Sequence, residues 1–124
     1  MLGYVTVGTN DLQKAAPFYD KLAELLETPR MMEDDSFIAW GKMDGPAGIG
    51  LTKPFNGEPA TVGNGVMLAL QARDPAHVDA IYQAALEAGG TDEGEPGPRG
   101  GGFYAAYFRD LDGNKLNAFC FVAE

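Results

Sequence analysis

Residues 103–122 read FYAAYFRDLDGNKLNAFCFV, two runs rich in aromatic and small apolar residues on either side of Asp110-Leu111-Asp112-Gly113-Asn114. Asp and Asn side chains bond their own backbone in turns and Gly supplies the left-handed conformation, so the stretch predicts two strands joined by a tight connection. Strand alternation puts Lys115, Asn117, Phe119 and Phe121 on one face and Leu116, Ala118, Cys120 and Val122 on the other, the second set turned toward helices. With a five-residue loop, Arg109 opposes Lys115 and Tyr107 opposes Asn117; a slip of one residue would bring in Phe108.

Working back from this pair, Gly94-Glu95-Pro96-Gly97-Pro98 and Gly100-Gly101-Gly102 read as a loop, and Gly89-Gly90 as a helix end. The helix carries Val78, Ile81, Ala85 and Ala88 as its apolar stripe, with Asp74 as N-cap and Pro75 in the first turn. A strand over Val66 to Ala72 precedes it. The same order occurs in the first half: a strand over Gly3 to Thr9, a helix start at Asn10-Asp11, and an apolar stripe of Leu12, Ala16, Tyr19, Ala23 and Leu26 as far as Pro29. Strand-like runs at Arg30 to Glu33, Phe37 to Gly41 and Gly48 to Lys53 complete it. Sliding the sequence by 63 residues sets Phe18-Tyr19 on Ile81-Tyr82, a weak internal repeat. The expectation is an α+β chain of two βαβββ units, about 1–54 and 66–124, joined by a Gly- and Pro-rich linker at about 55–65. Together they form a single domain over 1–124, whose curled sheets enclose a cleft.

Length and charge bound the function. At 124 residues the chain suits one domain. No apolar run approaches the roughly 20 residues that span a bilayer, and the N-terminus shows no signal-peptide pattern; a cytoplasmic protein without membrane contact is expected. A net charge of −9 with dispersed acidic residues makes nucleic acid a poor partner. The single cysteine, Cys120, reads as a small buried hydrophobe.

The stretches YVTVGTNDLQKAAPFYDKL, GNGVMLALQARD, AGGTDEGEPGPRGGGFYAAYFRD and DLDGNKLNAFCF resemble vicinal oxygen chelate proteins of the glyoxalase, bleomycin-resistance and dioxygenase type. The resemblance covers nearly the whole chain, and Leu111 stands where that family's DPDGN turn has proline. It implies a cleft in which two His and two Glu from four strands hold a divalent ion. Those positions fall here on Tyr4, Gly50, Met67 and Asn117. The one histidine, His77, lies in the first turn of the second helix and reads as solvated. No metal and no cofactor are therefore expected.

By alternation Tyr4 brings Thr6 to the cleft, Gly50 brings Thr52, and Met67 brings Ala69 and Gln71. The ligand-binding set expected is Tyr4, Thr6, Gly50, Met67, Tyr107, Asn117 and Phe119, with Trp40 as a second-tier lining residue and Arg99, after PGP in a glycine-rich loop, as an anion clamp at the cleft mouth. Such a lining suits an apolar or aromatic small molecule held by stacking and a few hydrogen bonds. The reading preferred is a metal-free small-molecule-binding protein. The alternatives are an enzyme of the same fold (a lyase, isomerase or dioxygenase-like protein) with a non-standard site, for which catalytic residues are unknown and Tyr4 is a weak proton donor or acceptor, and a protein-interaction domain. The resemblance also implies a homodimer.

Overall fold

A computed structural model describes residues 1–123. Strand β1 (Tyr4–Gly8) leads into helix α1 (Leu12–Leu25), followed by β2 (Arg30–Glu33), β3 (Phe37–Trp40) and β4 (Gly48–Thr52). The order then repeats with β5 (Leu68–Gln71), α2 (Pro75–Glu87), β6 (Thr91–Pro98), β7 (Phe103–Arg109) and β8 (Lys115–Phe121). The first sheet runs β1-β4-β3-β2 and the second β5-β8-β7-β6, so both units share one topology. In each, the first strand pairs parallel to the last while the remaining pairings are antiparallel.

Corresponding residues do the same work in each unit. Asp11 and Asp74 are the helix N-caps, accepting from the backbone N–H groups of Lys14 and His77. Tyr19 donates to Asp110 at 2.5 Å and Tyr82 to Asp92 at 2.9 Å. Helix α2 ends at Ala88, and Gly89 then takes φ 101°; α1 ends at Leu26 with Glu27 at φ 54°, a left-handed position that costs a side-chain-bearing residue energy.

Both helices pack on one side of the sheets over one core. Phe18 of α1 meets Phe108 of β7 with ring centroids 6.3 Å apart, and Tyr19 meets Trp40 at 5.5 Å, so α1 joins the two units. The Asp110–Asn114 turn is stapled to the β1–α1 junction: Asn114 Nδ2 donates to the Gly8 carbonyl, and the Asn10 N–H to Asp112 Oδ1. His77 differs from expectation. It is 6 % exposed, with Nε2 facing the Leu25 carbonyl at 2.9 Å and Nδ1 accepting from the Arg73 N–H, a clip between the end of α1 and the start of α2.

The segment expected as a loop, Gly94 to Pro98, belongs to β6. It lies at the edge of its sheet and breaks register between Asp92 and Gly94 and again between Gly94 and Gly97; an edge position and bulges are where a strand accommodates Pro96 and glycines. No helix among the described residues is long and apolar enough to cross a membrane.

Candidate functional site

With the helices on one side, each sheet leaves its other face open. On β8 the side chains of Leu116, Ala118 and Cys120 are all within 2 % of complete burial beneath the helices, which turns Lys115, Asn117, Phe119 and Phe121 to the open face. The β7–β8 register is the five-residue-loop alternative: Arg109 opposes Lys115, Tyr107 opposes Asn117, Ala105 opposes Phe119 and Phe103 opposes Phe121. In the parallel pairing, Ala69 lies beside Asn117 and Gln71 beside Phe119.

This face has an aromatic end and a polar end. Phe103 and Phe119 stack with centroids 5.6 Å apart, and Phe121 leans on both. Two residues along, the Arg99 guanidinium carbon lies 5.6 Å from the centre of the Tyr107 ring and Lys115 Nζ lies 5.4 Å from it. Arg99 is held in place by the Glu95 carbonyl, to which its Nη2 donates at 2.6 Å. Arg109 pairs with Glu93 and donates to the Gly113 carbonyl. Beside this end a cavity of about 530 Å³ is lined by residues 62–67 of the linker with Arg109 and Lys115.

Asn117 sits in the middle of the face. It is 2 % exposed, and its Oδ1 is buried without a hydrogen-bond partner. Buried polar atoms are nearly always paired, so an orphan on an open face needs a reason.

The first sheet is different. Tyr4 is 60 % exposed, Thr6 is exposed, and the Tyr4 hydroxyl makes no side-chain hydrogen bond among the described residues, so no base is placed to take its proton. Gly50 makes room for a ring: a Cβ there would meet Phe37 at 2.6 Å. The open face of this sheet therefore carries Tyr4, Thr6, Phe37 and Met32, and among the described residues its strands turn no charged group to it. Trp40 is corrected to the helix side. Alternation with Ile38 buries it to 4 % exposure, where Nε1 donates to Asp20 Oδ1 at 2.9 Å and Arg30 lies over the ring. A second cavity, of about 320 Å³, borders Trp40, Asp20, Glu24 and Arg30; its Arg30–Asp20 ion pair leaves those charges mutually satisfied.

Within one chain, then, the residues expected in one cleft divide into two groups. Tyr107, Asn117, Phe119 and Arg99 come together on the second sheet; Met67 lines the neighbouring cavity. Tyr4, Thr6 and Gly50 lie on the first sheet, and the sheets do not close around a common cavity: the 530 Å³ space has no residue of β1–β4 in its wall. Lys115 and Phe121 were on this face by alternation but were not singled out as site residues. Phe103 follows as the partner of Phe121 once the register is known, and Val66 adjoins Met67 in sequence, whereas nothing in the sequence marks Val62 as cavity wall.

The family model described as the Glyoxalase/Bleomycin resistance protein/Dioxygenase superfamily matches residues 1–118. The chain belongs to that superfamily. A crystal structure of a glyoxalase/bleomycin resistance protein from Albidiferax ferrireducens T118 is similar at 39 % identity, with a TM-score of 0.88 over 96 % of this chain and 97 % of the other. A hypothetical protein from S. aureus is similar at 26 % identity, with a TM-score of 0.72 over 94 % and 90 % of the two chains. A glyoxalase/bleomycin resistance protein/dioxygenase family enzyme from Burkholderia phytofirmans PsJN, 18 % identical with a TM-score of 0.78 over 97 % and 98 %, shares the fold. No protein of curated function matches the sequence closely enough to lend it an activity.

The positions that the family resemblance implies for a metal's ligands hold Tyr4, Gly50, Met67 and Asn117, of which Met67 lies just before β5. These residues do not fit an ion. They offer an exposed phenol, no side chain, a thioether and a neutral carboxamide, and the Gly50 position is roofed by Phe37. Among the described residues no group of three or more His, Cys, Asp or Glu side chains is placed to bind one.

Proposed function

We propose that the protein is a small-molecule-binding member of its superfamily that takes an apolar or aromatic ligand on the open face of the second sheet, without a metal. Asn117 carries the reading. Leaving a polar atom buried and unpaired costs about 1–3 kcal/mol, and a ligand's polar group would offset that cost. The terminal amide can present either its oxygen or its nitrogen after a half-turn, so it can meet a donor or an acceptor. The Phe103, Phe119 and Phe121 rings supply stacking surface beside it.

A second copy of the chain completes the site in this reading. Its support is the apolar surface left uncovered on the open faces: Tyr4 at 60 %, Met32 at 55 % and Phe121 at 68 % exposure are large values for a monomer's sheet. A cytoplasmic location accords with the free thiol of Cys120, which needs no oxidising compartment.

The test is elemental mass spectrometry of untagged protein, thermal shift against divalent metals and a panel of aromatic compounds, and mass determination in solution. The reading expects substoichiometric metal with no shift on adding it, and a melting point raised by roughly 10 °C when a true ligand is present at about a hundred times its Kd. About one tightly held metal per chain would overturn it.

A further inference from the structure

The site concentrates positive charge on a protein whose net charge is −9. Arg99, Arg109 and Lys115 lie along one open face, while among the described residues the strands of the first sheet turn no charged group to the corresponding face, Arg30 and Glu33 of β2 pairing with Trp40 and Ile38 on the helix side. Arg109 is already neutralised by Glu93. Among the described residues neither Lys115 nor Arg99 has a carboxylate within ion-pair distance, although acidic residues outnumber basic ones 18 to 9 in the chain. Both cations instead lie over the Tyr107 ring, Arg99 tethered by a backbone carbonyl that fixes its position without cancelling its charge. The face of an aromatic ring offsets a cation only in part, so both charges remain free to meet an anion.

Resting on the ligand reading above, we infer that the ligand is an anion: a carboxylate on an aromatic or apolar body, its head at Lys115 and Arg99 and its body toward Phe103 and Phe119. The buried amide of Asn117, directly across from Tyr107, lies between those two ends. The adjoining cavity sets Val62, Val66 and Met67 beside Lys115, with Asn64 and Arg109 in the same wall, so apolar surface is available next to the cation for the hydrophobic body of a singly charged ligand.

The experiment is a ¹H–¹⁵N NMR titration with 2-naphthoate and with 2-naphthamide, which share a ring system and differ in charge. Both should shift the amides of β7 and β8, with naphthoate binding about tenfold tighter because its hydrogen bonds are charge-assisted. Lys115→Met combined with Arg99→Gln should abolish the preference while the well-dispersed spectrum persists, and Lys115→Arg should retain it. Equal affinity for the two probes overturns the anion inference and leaves the ligand reading standing. A preference that survives removal of both cations overturns the assignment to these residues. If neither probe shifts the second sheet, the ligand reading falls, and this inference with it.

Discussion

Replacing Asn117 by leucine should stabilise the protein while destroying its site. The side chain is 2 % exposed, its Oδ1 has no partner, and its neighbours along the open face are Ala69, Tyr107 and Phe119. Removing an unpaired buried polar group recovers about 1–3 kcal/mol of desolvation cost, and leucine of similar size adds apolar contact. The misfit of a branched side chain in a position shaped for a planar amide takes back roughly 1 kcal/mol. The net expectation is a gain of about 1–2 kcal/mol, or roughly 4–8 °C in Tm for a chain of this length. Urea unfolding followed by the fluorescence of Trp40, the one tryptophan and a buried neighbour of Tyr19, reads the stability directly. Running it at two protein concentrations tenfold apart separates unfolding from subunit dissociation. Destabilisation by more than 1 kcal/mol would refute the reasoning, because it would mean the amide is paired in solution. Stabilisation with unchanged naphthoate affinity would refute the role of Asn117 in binding.

Three further outcomes follow from the rest of the molecule. Tyr19→Phe removes the donor to the buried Asp110, which keeps its bonds from Asn114 and the turn backbone; a loss of about 1–2 kcal/mol in urea unfolding is expected. Glu27→Gly relieves the left-handed residue after α1 and should raise stability by about 0.5–1 kcal/mol in the same assay. The Asp20 carboxyl is held below its ordinary 3.8, chiefly by hydrogen bonds from Arg30, against a smaller opposing effect of burial and with further help from the Trp40 N–H. The unfolded chain therefore binds this proton more readily, so the contribution is complete above about pH 4 and is lost as pH falls through the lower folded value. Arg30→Met should flatten the acid limb of the stability profile in that range; an unaltered limb would show that the half-exposed pair contributes nothing.

Local chemistry made most of the architecture legible. Asp11 and Asp74 announced both helices, the Asp110–Asn114 turn fixed the last hairpin, and period-two burial on β8 separated Leu116, Ala118 and Cys120 from Asn117 and Phe119. Strand β6 was hidden because an edge strand with two register breaks can hold the Pro and Gly residues that normally mark a loop. His77 was misread because helical spacing shows which face a residue occupies but not that the end of another helix, at Leu25, comes within hydrogen-bonding distance of it. The same limit applied to the site. Alternation ranks residues within one strand, yet the coincidence of Arg99, Lys115 and Tyr107 depends on how the end of β6, β7 and β8 lie beside one another.

That coincidence also separates two halves that share one topology. Both units present an open sheet face bounded by the same strand order, and both place a small residue opposite an aromatic there: Gly50 beneath Phe37 in the first, Ala105 across from Phe119 in the second. In the first unit the ring fills the space, leaving a smooth uncharged surface with Tyr4 at its edge. In the second the rings stack together at one end, the cations gather at the other, and an amide stays buried between them without a partner. An uncharged apolar face suits a lid; a face with unspent charge and an unpaired amide suits a binding surface. If one copy's first sheet covers the second sheet of another, Tyr4→Asp should weaken both self-association and naphthoate binding, although Tyr4 lies outside the 530 Å³ cavity of its own chain. Sedimentation and the naphthoate titration measured on the same preparation decide the point, and loss of association with intact binding would place the whole site within a single chain.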